Sequence, residues 1–180
     1  MLIGSTIPDR PVEFSGHCDE VGTKQFPSEF FQTIDTDFLV LYFYPGDFTS
    51  ICATEVLAFE NACPEMREMG ASIVACSINN PHAHNAWKRR PKHEGGLGTN
   101  VSHALIADVT GALSKEFDVL IPSRHVATRG LFILDRSGQV LYESRSDTKT
   151  ARNVYEILNI LRELKKLANR PGKRERAPTL

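Results

Sequence analysis

The octapeptide Pro45-Gly46-Asp47-Phe48-Thr49-Ser50-Ile51-Cys52 is the segment best placed for chemistry. It follows an unbroken apolar run, Phe38 to Tyr44. It precedes a stretch in which Val56, Phe59, Cys63 and Met66 fall on one helical stripe. A loop between a buried strand and a helix is where an α/β sheet usually carries its active site. Thr49 or Ser50 can cap the helix. Either choice puts Cys52 in the first turn, where unpaired backbone N–H groups and the positive end of the helix dipole favour a thiolate. A free thiol titrates near ~8.5, and such a position lowers that value. The thiolate is the nucleophile, so this geometry predicts a reactive sulfur. The same spacing also fits a small apolar side chain packed beneath a helix end.

The surrounding elements follow from periodicity and turn chemistry. Phe38–Tyr44 reads as a strand covered on both faces, and Ala71–Ser77 as a second. Cys52–Met69 reads as a helix, Pro81–Arg90 as another, and Gly95–Gly98 as a loop. Ala104–Ala107 is a short strand, followed by a short helix over Thr110–Phe117. Ala127–Leu134 and Gln139–Arg145 form a hairpin around Asp135-Arg136-Ser137-Gly138. Val154, Ile157, Leu158, Leu161 and Leu164 place a last helix over about residues 150–168. Strand–helix–strand early and hairpin plus helix late describe a three-layer α/β sandwich.

Composition bounds the function classes. The chain has 180 residues, enough for one globular domain. Lys and Arg number 21 against 22 Asp and Glu, which argues against a dedicated nucleic-acid binder. The longest apolar run is too short to cross a bilayer. The start, MLIGSTIPDR, lacks the basic and apolar regions of a secretory signal, so a cytoplasmic location is expected. The four cysteines, Cys18, Cys52, Cys63 and Cys76, have neither zinc-site nor CxxC spacing and read as free thiols. His82, His84 and His93 lack ligand spacing, so no metal and no cofactor are expected. His84 and Trp87 share a helical face and are expected at a surface or interface.

P-x-x-x-T-x-x-C after an aromatic-rich strand resembles the peroxiredoxin active-site motif. YFYPGDFTSICATE is similar to that family's strand–loop–helix. VACSIN with His84 and Trp87, then EGGLG, resembles the two-cysteine, alkyl hydroperoxide reductase C-like branch. LIADVTGALSKEFDVL and TRGLFILDRSG are similar to its later core. The likeness extends from about residue 3 to 165. It implies a thioredoxin-like fold with a central mixed sheet over residues 1–168, with 169–180 a basic, flexible tail. It implies that Cys52 is the peroxidatic thiolate. Thr49 would hydrogen-bond the peroxide or the thiolate, and Pro45 would wall the pocket. Arg129 would stand near the sulfur, and Glu55 would orient its guanidinium by a bidentate contact. The implied substrate is hydrogen peroxide or an organic hydroperoxide. The implied partners are a thioredoxin-like or small-thiol reductant and a second copy of the chain, as a homodimer or a ring of dimers.

The sequence departs from that branch in three ways. No cysteine follows Cys76, so the usual C-terminal resolving thiol is missing. Ala53 stands where the branch has proline, and the Tyr-Phe helix that partners GGLG is replaced by RPGKRERAPTL. Cys63 lies eleven residues along the same helix, ~16 Å away at 1.5 Å per residue, whereas a disulfide needs Cα atoms within ~7 Å. Cys63 and Cys76 are expected in the core and Cys18 in an exposed turn from which it could reach a partner chain. The resulting expectation is a thiol peroxidase whose Cys52 sulfenic acid is reduced by an outside thiol. The alternative is a redox sensor or chaperone-like oligomer that oxidises but turns over poorly.

Overall fold

Phe38–Phe43 forms a strand with all six side chains buried, as a run without polar alternation requires. Val40 and Tyr42 point to one face, Leu39, Leu41 and Phe43 to the other. The computed structural model describes residues 1–31, 36–98 and 101–169. In chain order the strands and helices are β1 (Arg10–Ser15), β2 (Val21–Phe26), β3 (Phe38–Phe43), α1 (Ser50–Glu68), β4 (Ala71–Ser77), α2 (Pro81–Arg89), β5 (Ala104–Ala107), α3 (Ala112–Glu116), β6 (Leu120–Ile121), β7 (Val126–Ala127), β8 (Arg129–Asp135), β9 (Val140–Ser146) and α4 (Val154–Ala168). The tail expected beyond α4 lies, from residue 170 on, outside the described residues.

Seven strands make one mixed sheet in the order β2-β1-β5-β4-β3-β8-β9. β3 runs parallel to β4 and antiparallel to β8, and β4 runs parallel to β5. This is the expected α/β sandwich of thioredoxin type. One face of the sheet packs against α1, α4 and Trp87 of α2. The other packs against α3, Phe117, Val119 and the N-terminal Ile7 and Phe30.

Two details differ from the sequence expectation. β1 and β2 form a hairpin at one edge, and no strand was expected there. Their faces are half exposed and Phe14 and Phe26 are the only deeply buried apolar side chains in them, so the local apolar signal is weak. The expected strand Ala127–Leu134 breaks at Thr128. Val126–Ala127 pairs with Leu120–Ile121 in a small second sheet, and the main strand starts at Arg129. The β8–β9 turn behaves as expected. Asp135 Oδ1 accepts from the Ser137 and Gln139 amides, and Gly138 takes φ +78°, where a Cβ would lie 2.7 Å from the Ile7 carbonyl oxygen.

Phe59 of α1 is fully buried, and its ring stacks on Tyr42 of β3 at 4.1 Å. Phe59→Ala removes that stack and opens a cavity between helix and sheet. The expected loss is ~3–5 kcal/mol, read as a lower urea midpoint at unchanged m-value.

Candidate active site

The chain leaves β3 at Tyr44, turns through Pro45-Gly46-Asp47 and enters α1 after Thr49. Thr49 occupies the N-cap position with extended backbone angles, and its carbonyl accepts the first helical bond from the Ala53 amide at 2.9 Å. Its side chain does not cap the helix. The hydroxyl instead donates to the Gly46 carbonyl at 3.3 Å, which leaves its lone pairs toward other donors. Cys52 is the third residue of α1, so the first-turn placement is as expected. It is 1% exposed. Phe48 adopts φ +58°, a costly conformation for a bulky residue, and exposes its ring beside the helix start.

Arg129, the first residue of β8, reaches across to the helix. Its Nη2 lies 3.5 Å from Cys52 Sγ. Its Nε and Nη2 donate to the Thr148 carbonyl at 3.2 and 3.1 Å, and its Nη1 donates to Glu55 Oε2. Cys52 and Glu55, three apart on α1, therefore face the same guanidinium. The expected bidentate Arg129–Glu55 contact is not what forms. Arg129 spends its fork on the Thr148 carbonyl and gives Glu55 one nitrogen.

The carboxylate's other contacts go to Arg152, which the sequence reading missed. Arg152 donates to Glu55 through its backbone amide at 2.9 Å, through Nε at 2.9 Å and through Nη2 at 3.2 Å. Its Nη1 caps the Gly130 carbonyl at 2.6 Å, and its guanidinium lies 5.1 Å from the Tyr42 ring centroid. Arg152 sits in irregular chain 97 residues from Glu55, so spacing could not signal it. One buried carboxylate between two guanidiniums leaves one positive charge over.

Asp47 ties the loop to the core. Its Oδ1 accepts from the Tyr44 hydroxyl at 2.8 Å and its Oδ2 lies 2.9 Å from His84 Nδ1, while its amide donates to Asn79 at 3.0 Å. His84 Nε2 meets the Ile106 carbonyl at 3.2 Å. His84 and Trp87 are thus fully buried, not at a surface as expected. Their shared face packs onto the sheet, and Trp87 Nε1 donates to the Gly95 carbonyl at 3.1 Å. Pro45 is half-buried just past the end of β3.

The remaining thiols are where the sequence suggested. Cys63 and Cys76 are buried and Cys18 is exposed. Burial, reinforced by Glu60, pushes the Cys63 thiol up to about 12. Burial, with Asp108 nearby, raises Cys76 well above the usual thiol range. Beside Cys63, His103 Nδ1 lies 2.8 Å from Glu60 Oε2. Burial pulls His103 below the usual imidazole value. For Glu60 burial acts upward, but hydrogen bonds from His103 and Ser102 outweigh it and bring the carboxyl down to about 2.

The AhpC/TSA family profile matches residues 4–143. The chain belongs to the AhpC/TSA family, the peroxiredoxins. It is 39% identical over 128 residues to Peroxiredoxin-4 of Dictyostelium discoideum, covering 71% of this chain and 49% of that protein. It is 34% identical over 163 residues to the chloroplastic 2-Cys peroxiredoxin BAS1 of Hordeum vulgare, covering 91% and 75%. The reduced 2-Cys peroxiredoxin of Plasmodium vivax superposes with a TM-score of 0.86 at 27% identity, over 99% of this chain and 92% of that one. The chain spans about half the length of several curated relatives, 49% and 48% for two of them. Within this peroxiredoxin, the sulfur–guanidinium approach brings together residues 77 positions apart.

Two outcomes follow for the site. Glu55→Gln leaves two buried guanidiniums without their carboxylate and should cost ~3–5 kcal/mol in denaturant unfolding. Iodoacetamide at pH 8 on the native chain should modify Cys18 and leave Cys63 and Cys76 intact in peptide mass analysis, since both buried thiols stay protonated there.

Proposed function

We propose that the chain is a thiol peroxidase that reduces hydrogen peroxide and small organic hydroperoxides through Cys52. The observation that carries this reading is the Arg129 Nη2 donor 3.5 Å from Cys52 Sγ at a helix start, with Glu55 holding the guanidinium from behind. The Cys52 thiolate attacks the terminal peroxide oxygen. An S–O bond forms as the O–O bond breaks, sulfur loses two electrons, and the leaving oxygen takes a proton to become water or an alcohol. Negative charge develops on that oxygen, and preorganised N–H donors stabilise it there. Thr49, whose proton is committed to Gly46, accepts a hydrogen bond from the peroxide O–H and so orients it. Pro45 walls the pocket and keeps bulk water from the sulfur.

The product is a sulfenic acid on Cys52. An external thiol then attacks it, releasing water and forming a mixed disulfide that a second thiol reduces. Cys63 is on the same helix and Cys76 is sealed in β4, so neither serves as resolving thiol within the chain. A thioredoxin-like protein or a small thiol is the reductant we favour. β9 at the sheet edge supports pairing of two copies through that strand, as a homodimer or a ring of dimers. No helix among the described residues is long and apolar enough to cross a membrane. Four free thiols suit a reducing compartment, and we favour the cytoplasm.

Cys52→Ser should abolish peroxide consumption, and full activity in that variant refutes the assignment. Arg129→Ala should slow the second-order peroxide step ~10²–10³-fold, the value of one preorganised donor. An unchanged rate removes Arg129 from the chemistry. One equivalent of peroxide should leave Cys52 as sulfenic acid by dimedone trapping and mass analysis. Excess peroxide should drive it to sulfinic acid. A quantitative Cys18–Cys52 disulfide between chains would instead restore a two-cysteine cycle. A single turnover with every reductant tried would favour a sensor.

A further inference from the structure

Three turns along α1 from Cys52, three ligand-type side chains converge. Glu60 and Cys63 are one turn apart on α1, and His103 precedes β5. Cys63 Sγ lies 3.8 Å from Glu60 Oε2 and 3.8 Å from His103 Nδ1, and those two are 2.8 Å apart. Cys63 and His103 are buried, while Glu60 is half-buried at the rim and gives access from solvent. We propose that Glu60, Cys63 and His103 form a binding site for a divalent transition ion of the zinc type, with water in the fourth position.

The donor set is thiolate, imidazole and carboxylate, the combination a tetrahedral zinc ion takes. With Zn–S near ~2.3 Å and Zn–N or Zn–O near ~2.0 Å, ligand atoms in such a site stand ~3.3–3.6 Å apart. The two sulfur edges are already close to that spacing. Only the Glu60–His103 edge has to open, by about half an ångström on the same radii. Glu60 and Cys63 sit at i and i+3, so the helix itself aims both at one point.

The outer groups fit as well. Tyr42 Oη is 2.8 Å from His103 Nε2, in the buried position of a group that orients a metal-bound imidazole. In the hydrogen-bonded arrangement, His103 Nδ1 donates to the Glu60 carboxylate and Nε2 accepts from Tyr42. With a metal on Nδ1, the ring proton moves to Nε2 and is donated to the tyrosine oxygen. The thiol proton leaves for solvent, and the two anionic ligands neutralise the dication. The Ser102 amide, 2.9 Å from Glu60 Oε2, holds the carboxylate in place. Lys88 and Arg67 are the cations whose charge reaches His103, and of the two Arg67 touches the cluster's edge. It is exposed and lies 3.5 Å from Ser102 Oγ, at the edge of the cluster. The three residues span 43 positions of chain, so no local spacing announces them.

The test uses the purified full chain, stripped with chelator and titrated with Co²⁺ and Zn²⁺. A Cys18→Ser, Cys52→Ser background removes the two other candidate sulfurs. Co²⁺ should give a thiolate charge-transfer band and intense visible bands of tetrahedral cobalt, saturating at one ion per chain and displaced by Zn²⁺. Zn²⁺ should also raise the thermal midpoint. Cys63→Ala should abolish the charge-transfer band, and Glu60→Gln, at the rim and tolerant of change, should weaken binding at least tenfold. Absence of the band in the background protein overturns the proposal, as does a band unchanged by Glu60→Gln or by Cys63→Ala. Peroxidase activity does not enter this readout, so failure here and failure of the Cys52 chemistry are distinguishable.

Discussion

The site depends on one buried carboxylate. Glu55 meets Arg129 from β8 and Arg152 from the segment before α4, so a single side chain joins three parts of the chain far apart in sequence. Burying three charged groups is costly unless each is paired and hydrogen-bonded. Here nearly every donor has an acceptor. Arg129 fills the Thr148 carbonyl and Glu55, and Arg152 fills Glu55 and the Gly130 carbonyl. The net excess of one positive charge is left beside Cys52.

The same group is braced from beneath. The Arg152 guanidinium lies over Tyr42, which stacks on Phe59 and reaches His103 through its hydroxyl. Burial holds that hydroxyl well above the usual phenol range, so it stays neutral beside the cations. A continuous packed path therefore runs from the Cys52 sulfur through Arg129, Glu55, Arg152 and Tyr42 to the Glu60–Cys63–His103 cluster. On the other flank, Asp47 and His84 pin the loop that precedes α1. Between these anchors lies the start of the helix, with Phe48, Thr49 and Cys52.

The four thiols divide by environment. Cys52 has a cation within reach, whereas Cys63 and Cys76 have burial and acidic neighbours that keep them protonated. Cys18 is exposed, in a tight turn with φ +51°, its sulfur 2.9 Å from His17 Nδ1. The thiol beside the guanidinium and the exposed thiol are thus different residues.

Much of this was legible from residue order. Continuous apolar runs located β3 and β4, and helical spacing located α1 and α4, because those patterns reflect burial on a sheet or helix directly. The placement of Cys52 in a first turn needed only a strand, a short loop and a cap. The mixed order of the sheet, the N-terminal hairpin and the break at Thr128 were decided by tertiary pairing, since half-exposed short strands carry little local signal. His84 and Trp87 were misjudged because a helical face alone does not say whether it meets solvent or a sheet. Arg152 and His103 became functional candidates only in three dimensions. A charge-paired or ligand-forming residue is defined by what faces it across the fold, and the partners here lie 97 and 40 or more positions away.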